Sequence, residues 1–152
     1  MLPSMARSPG RGLFIAYVVV AALLGPMMFF SAIMKLKQNP GAVHTIHEVV
    51  GVPLSLFPLL AVCEIAGGLG LLAGIFRPKL GIAAGAGLVV YFLGAMISHV
   101  LVSDWAGLKA PITPMLLSIA ALVLRVSSVK RAARTAPPRL GPGQAQVPSP
   151  SA

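Results

Sequence analysis

The sequence predicts an all-α integral membrane protein: a four-helix bundle with a short amphipathic interfacial helix between spans one and two. Three observations carry that reading. Hydrophobic residues make up 57% of the 152 residues and charged residues only 10%, whereas a soluble domain carries roughly 25% charged residues. The charges fall in clusters, separated by apolar runs long enough to cross a ~30 Å hydrocarbon layer. Those runs lack period-2 alternation, and most are twice the ~10 residues that a membrane strand needs.

Residues 1–12 read as a cytoplasmic N-terminus carrying Arg7 and Arg11, and residues 13–126 as the transmembrane domain. The first span, residues 13–34, holds no charge; at 1.5 Å per residue it reaches about 33 Å. Gly25-Pro26 is expected to break it and free a carbonyl. The segment that follows opens on Asn39-Pro40, an N-cap and a proline at the first helical position, and stops at Gly51. Within it Val43, Ile46 and Val50 share one face, and His44, His47 and Glu48 the other, which is the pattern of a helix lying on the membrane surface. The second span, residues 54–76, is interrupted only by Glu64, and the third, residues 80–102, only by His99 near its end. The fourth, residues 110–126, is shorter, with Trp105, Lys109 and Arg125 as flanking anchors that can snorkel to the interface. Residues 127–152, with five prolines, four basic residues and no acid, read as a disordered cytoplasmic tail whose basic half lies against anionic headgroups.

A net charge of +9 would indicate nucleic acid in a soluble protein. Here the apolar excess makes the partner the lipid bilayer, and nothing in the tail points to nucleic acid. Four spans place both termini and the second loop on one side, with nine Lys and Arg, against three on the other. That asymmetry puts both termini in the cytoplasm.

Glu64 is the strongest chemical signal. Counted from the expected start of its span it lies about 15 Å deep, near the midplane. A carboxylate there should face the bundle interior, protonated or paired, and marks a functional site by default. The bland alternative is an interhelical hydrogen bond. Gly67, Gly68 and Leu71 share its face and would let a neighbouring helix approach. Depth counting places Tyr91 and Ser118 level with it. His99 falls in a shallower layer with Ser31, beside Asp104. His44, His47 and Glu48 admit a metal reading at i, i+3 and i+4, although no HExxH and no nearby cysteine accompany them. Cys63, the one cysteine, excludes an internal disulfide and reads as a small buried hydrophobe. Gly70xxxGly74 and Gly81xxxGly85 favour close packing of spans two and three, or a homodimer.

These elements together resemble a known family. Met34-Lys35-Leu36 ends the first helix, and Gly51-Val52-Pro53 closes the amphipathic stretch. The second helix carries Glu64-Ile65-Ala66-Gly67-Gly68-Leu69-Gly70, and Gly94-Ala95-Met96-Ile97-Ser98-His99 ends the third, ahead of Asp104. The pattern is similar to the DoxX-like family of small four-helix bacterial membrane proteins, from about Phe14 to Arg125. The resemblance implies a bacterial cytoplasmic membrane location and association with redox complexes, including a thiosulfate:quinone oxidoreductase subunit. It makes Glu64, His99 and Asp104 the positions to test, and depth counting adds Tyr91.

Two function classes stay open. One is an accessory or anchor subunit of a quinone- or thiol-linked membrane redox complex, with a soluble or membrane redox partner and quinone as the conceivable ligand. The other is a small proton-coupled transporter with Glu64 as its membrane carboxylate. No nucleotide loop, haem ligand pair or hydrolase nucleophile motif points to a stand-alone enzyme.

Overall fold

The computed structural model describes residues 9–135. Four helices are long and apolar enough to cross a membrane: α1 (Pro9–Leu36), α3 (Phe57–Ala73, entered by a 3₁₀ turn at Leu54–Leu56), α4 (Pro78–Leu101) and α5 (Lys109–Thr135). Between α1 and α3 lies α2 (Pro40–Ala42), which widens into a π-helix over Val43–Val49. α1 packs on α3 and α5, and α4 packs on the same two, so the four form a closed ring.

Proline and glycine set the boundaries. Pro78 opens α4, because a proline's missing N–H costs nothing in the first turn. Asn39 caps α2 through its side-chain oxygen, which accepts from the Gly41 N–H at 3.0 Å. Gly51 ends the segment at φ +83°, where a side chain would be strained. α1 runs unbroken through Pro26, so the expected break is absent; in the hydrocarbon region a continuous helix keeps the remaining backbone groups paired. α5 also runs further than expected. Ser127–Thr135 is helix rather than disordered tail, because Ser128 is buried against the bundle and its hydroxyl bonds back to the Arg125 carbonyl at 2.8 Å. The rest of the expected tail, residues 136–152, lies outside the described residues.

The core is a single stripe. Tyr17, Ala21, Leu24 and Met28 follow one face of α1 and meet Leu71, Leu88, Phe92 and Ala121 from the other three helices. The outward faces carry Ile15, Val19, Leu23, Val62, Leu69, Val90, Leu93 and Leu116, all exposed. A surface this apolar suits lipid and would aggregate in water. Cys63 also faces outward instead of being buried, since it neighbours Glu64 and so lies off the inward stripe of α3.

The glycine patterns are spent inside the chain. A Cβ on Gly74 would collide with the Gly81 backbone and the Tyr17 hydroxyl, one on Gly70 with Ala84, and one on Gly85 would press on Leu122 of α5. These positions therefore pull α3, α4 and α5 together, and a dimer would need another face.

Candidate functional site: an ion-paired floor beneath an amphipathic roof

Glu64 sits seven residues into α3, about 10 Å along from Phe57 and one residue from the middle of the helix. It is buried on the inward stripe with Ala61, Gly67, Gly68 and Leu71. Gly68 lets α1 approach, since a Cβ there would meet the Gly25 carbonyl oxygen at 3.1 Å. That closeness brings α1 side chains onto the carboxylate. Lys35 Nζ donates to Glu64 Oε1 at 2.9 Å and Oε2 at 3.0 Å, and to Ser31 Oγ at 2.8 Å. Ser31 Oγ donates to Glu64 Oε1 at 3.0 Å, and the Tyr91 hydroxyl donates to the same oxygen at 3.2 Å. The carboxylate is thus paired and bonded from α1 and α4 at once. Burying an ion pair is favourable only when such additional bonds complete it.

Lys35 and Ser31 were not legible as partners. Lys35 reads as an interface anchor at the end of a span, and anchors ordinarily reach outward. Here it folds inward, with its side chain only 9% exposed. Their i, i+4 spacing on one face of α1 was the available signal. Ser118, expected level with Glu64, does not bond it: its hydroxyl donates to the Pro114 carbonyl of its own helix at 2.7 Å.

His99 and Asp104 form a second pair. His99 Nδ1 lies 2.9 Å from Asp104 Oδ2, and Asp104 Oδ1 accepts the Gly107 N–H at 2.9 Å. A carboxylate can only accept, so Nδ1 carries the proton and Nε2 is the nitrogen left for another contact. The Gly107 N–H and the His99 ring hold the Asp104 carboxyl below its ordinary range. Gly107 must be glycine, because a Cβ there would strike both Asp104 and His99.

The two pairs open onto one cavity of about 650 Å³. Lys35, Ser31, Glu64 and Tyr91 form its polar floor, and His99 stands in one wall. Thr45, Ile46 and Val50 line it from the inner face of the α2 segment, which acts as a roof. The rest is mostly apolar, rich in methionine, and includes Phe30, which is also 64% exposed; one wall is therefore shared with the lipid-facing surface. His44 and His47 lie on the roof's exposed side, bonded to Glu48 at 2.7 Å and to the Val52 carbonyl at 2.9 Å. Among the described residues no three His, Cys, Asp or Glu side chains gather as metal ligands would.

At the opposite end Arg125, expected to snorkel, is buried. Its guanidinium lies between the rings of Phe14 and Tyr17, 5.0 and 5.1 Å from their centroids, and Nη2 donates to the Ile75 carbonyl at 3.3 Å. The Tyr17 hydroxyl donates to the Leu71 carbonyl at 2.6 Å.

Fold and site together define a multi-pass helical membrane protein with a roofed polar pocket at one end of its bundle. The chain belongs to the DoxX-like family, whose model matches residues 19–123. No curated protein and no solved structure matches it.

Proposed function

We propose that the protein is an accessory or anchor subunit of a membrane redox complex, and that its roofed cavity receives a quinone headgroup. The observation that carries this is the cavity itself: an ordinary small-ligand volume, mostly apolar, with a few convergent polar groups. A quinone is a flat ring with two acceptor oxygens and an apolar tail. Lys35, Ser31, Glu64 and Tyr91 give the ring a polar floor, the reduced form carries hydroxyl donors that the unprotonated Nε2 of His99 can accept, and the wall containing Phe30 offers the tail a route towards lipid. The residues present therefore fit such a ligand. When bound, it would supply two-electron redox chemistry to a partner protein. The chain's own residues would bind and orient it, and the His99–Asp104 pair would hold a proton at Nδ1.

The pairing of Glu64 with Lys35 favours this over proton-coupled transport. A proton-carrying carboxylate has to exchange partners as it cycles, whereas both oxygens of Glu64 are held by Lys35 Nζ, and Oε1 also by the Ser31 and Tyr91 hydroxyls. The excess of basic residues on the side of the termini supports a cytoplasmic location for both. In that orientation, in a bacterial inner membrane, the cavity lies in the outer leaflet.

Decylubiquinone binding to the detergent-purified chain tests the reading. Saturable binding is expected in the wild type. It should vanish in Ala95→Trp, which fills the cavity, and binding of the reduced form, decylubiquinol, should weaken about tenfold in His99→Phe, the loss of one hydrogen bond. Equal binding by Ala95→Trp would remove the cavity from the function.

A further inference from the structure

The end of the bundle away from the quinone cavity carries an unfinished site. Arg125 is only 5% exposed, and its Nε is buried with no hydrogen-bond partner among the described residues. Orphaned buried N–H groups are rare. A guanidinium cannot shed its charge, so burial without an anion is costly. The sequence offers no carboxylate side chain for it. Its three acids are Glu48, Glu64 and Asp104, which pair with His44, Lys35 and His99 at the other end. The aromatic rings of Phe14 and Tyr17 fix the plane of the guanidinium but bring no negative charge to it.

A crevice of about 430 Å³ adjoins this group. Gly10, Phe14, Pro78, Val129, Ala132 and Ala133 line it beside Arg125, and the other polar residue of the lining, Ser128, has its hydroxyl donated to the Arg125 carbonyl. Exposed Arg11, Lys79 and Arg131 are each the chain neighbour of a lining residue and add positive charge around it. One cation in a largely apolar slot matches an amphiphile whose charged part is a phosphate. Arg meets phosphate with parallel N–H donors and a full charge. An acyl chain would follow the apolar walls.

We propose that the Arg125 crevice is a binding site for the phosphate of an anionic phospholipid, in the leaflet on the side of the chain termini. The site is separate from the quinone cavity, and neither proposal depends on the other.

Thermal unfolding and native mass spectrometry of the full chain in neutral detergent test it. Three probes are added in turn: dioleoylphosphatidylglycerol, dioleoylphosphatidylcholine and inorganic phosphate. Phosphatidylglycerol should raise the melting temperature and survive as a bound adduct, while the other two do neither. Arg125→Gln should weaken phosphatidylglycerol binding by about tenfold or more, the loss of a charge-assisted bond. Ala133→Phe keeps the arginine and fills the crevice, and should lose the adduct at an unchanged basal melting temperature. It decides the matter if Arg125→Gln fails to fold. Equal effects of the two lipids, the same stabilisation by free phosphate, or full binding by Ala133→Phe would each overturn the proposal.

Discussion

The two ends of the bundle each bury a basic side chain, and they do it in opposite ways. At the α2 end Lys35 is met by a carboxylate and a serine hydroxyl, so that every ammonium hydrogen has an acceptor. At the other end Arg125 is held by two aromatic faces and one carbonyl, with no carboxylate side chain near it among the described residues. The difference follows from where three acids fall in the sequence, all of them on or below the α2 face. One end is chemically closed except for its cavity. The other depends on dispersion, ring quadrupoles and whatever the surrounding membrane supplies. Burial of a charge therefore does not report one kind of site, and its partners have to be read before a function is attached.

The sharpest way to break the comparison is to unbalance the closed end. Lys35→Met leaves Glu64 buried without its cation, and Glu64→Leu leaves Lys35 facing an apolar surface. Each should destabilise the bundle by about 3 kcal/mol, the lower end of the range for breaking a buried pair. The double variant should recover most of the loss. This is a larger effect than the ~0.6 kcal/mol of an ordinary interhelical bond in a membrane, because the single changes strand a charge. Denaturation in mixed micelles measures all three, and additive losses would show that the pair is not coupled.

A smaller effect is expected at the open end. Tyr17→Phe keeps the ring above Arg125 and removes only the hydroxyl bond to the Leu71 carbonyl. It should cost about 1 kcal/mol. A cost as large as that of Lys35→Met would mean that the hydroxyl, rather than the ring, holds this end together.

The smallest effect distinguishes the ends by acid. Asp104 has its folded pKa lowered, so its contribution is complete above the unfolded carboxylate value of about 3.9. It is lost as pH falls through the lower folded value. Acidification below about pH 4 should therefore loosen the segment around His99, Asp104 and Gly107, with no matching change at Arg125, which has no carboxylate side chain nearby. Hydrogen exchange resolved by peptide would show it; equal loosening of both ends would contradict the assignment.

The four spans were legible because uncharged runs of membrane length admit few structures, and the cap at Asn39 and the stop at Gly51 were legible because each position has specific local chemistry. Glu64 and Tyr91 were legible as neighbours, since depth along two helices is a matter of counting. Facing was not. Ser118 lies at a similar depth and bonds its own helix, and Cys63 is one residue from Glu64 yet faces outward. Long basic side chains were the least legible. Lys35 and Arg125 end spans in the sequence, and whether such a side chain turns out or in depends on what the neighbouring helix presents.

The Lys35–Glu64 pair also has an electrical consequence. A transmembrane voltage acts on a single charge with about 2.3 kcal/mol per 100 mV for full passage across the field. On a contact pair of opposite charges it acts only through their short separation along the membrane normal. The closed end is thus nearly indifferent to the membrane potential. Arg125 is a monopole, and a change in potential pushes on it directly, along the axis of the helix that carries it.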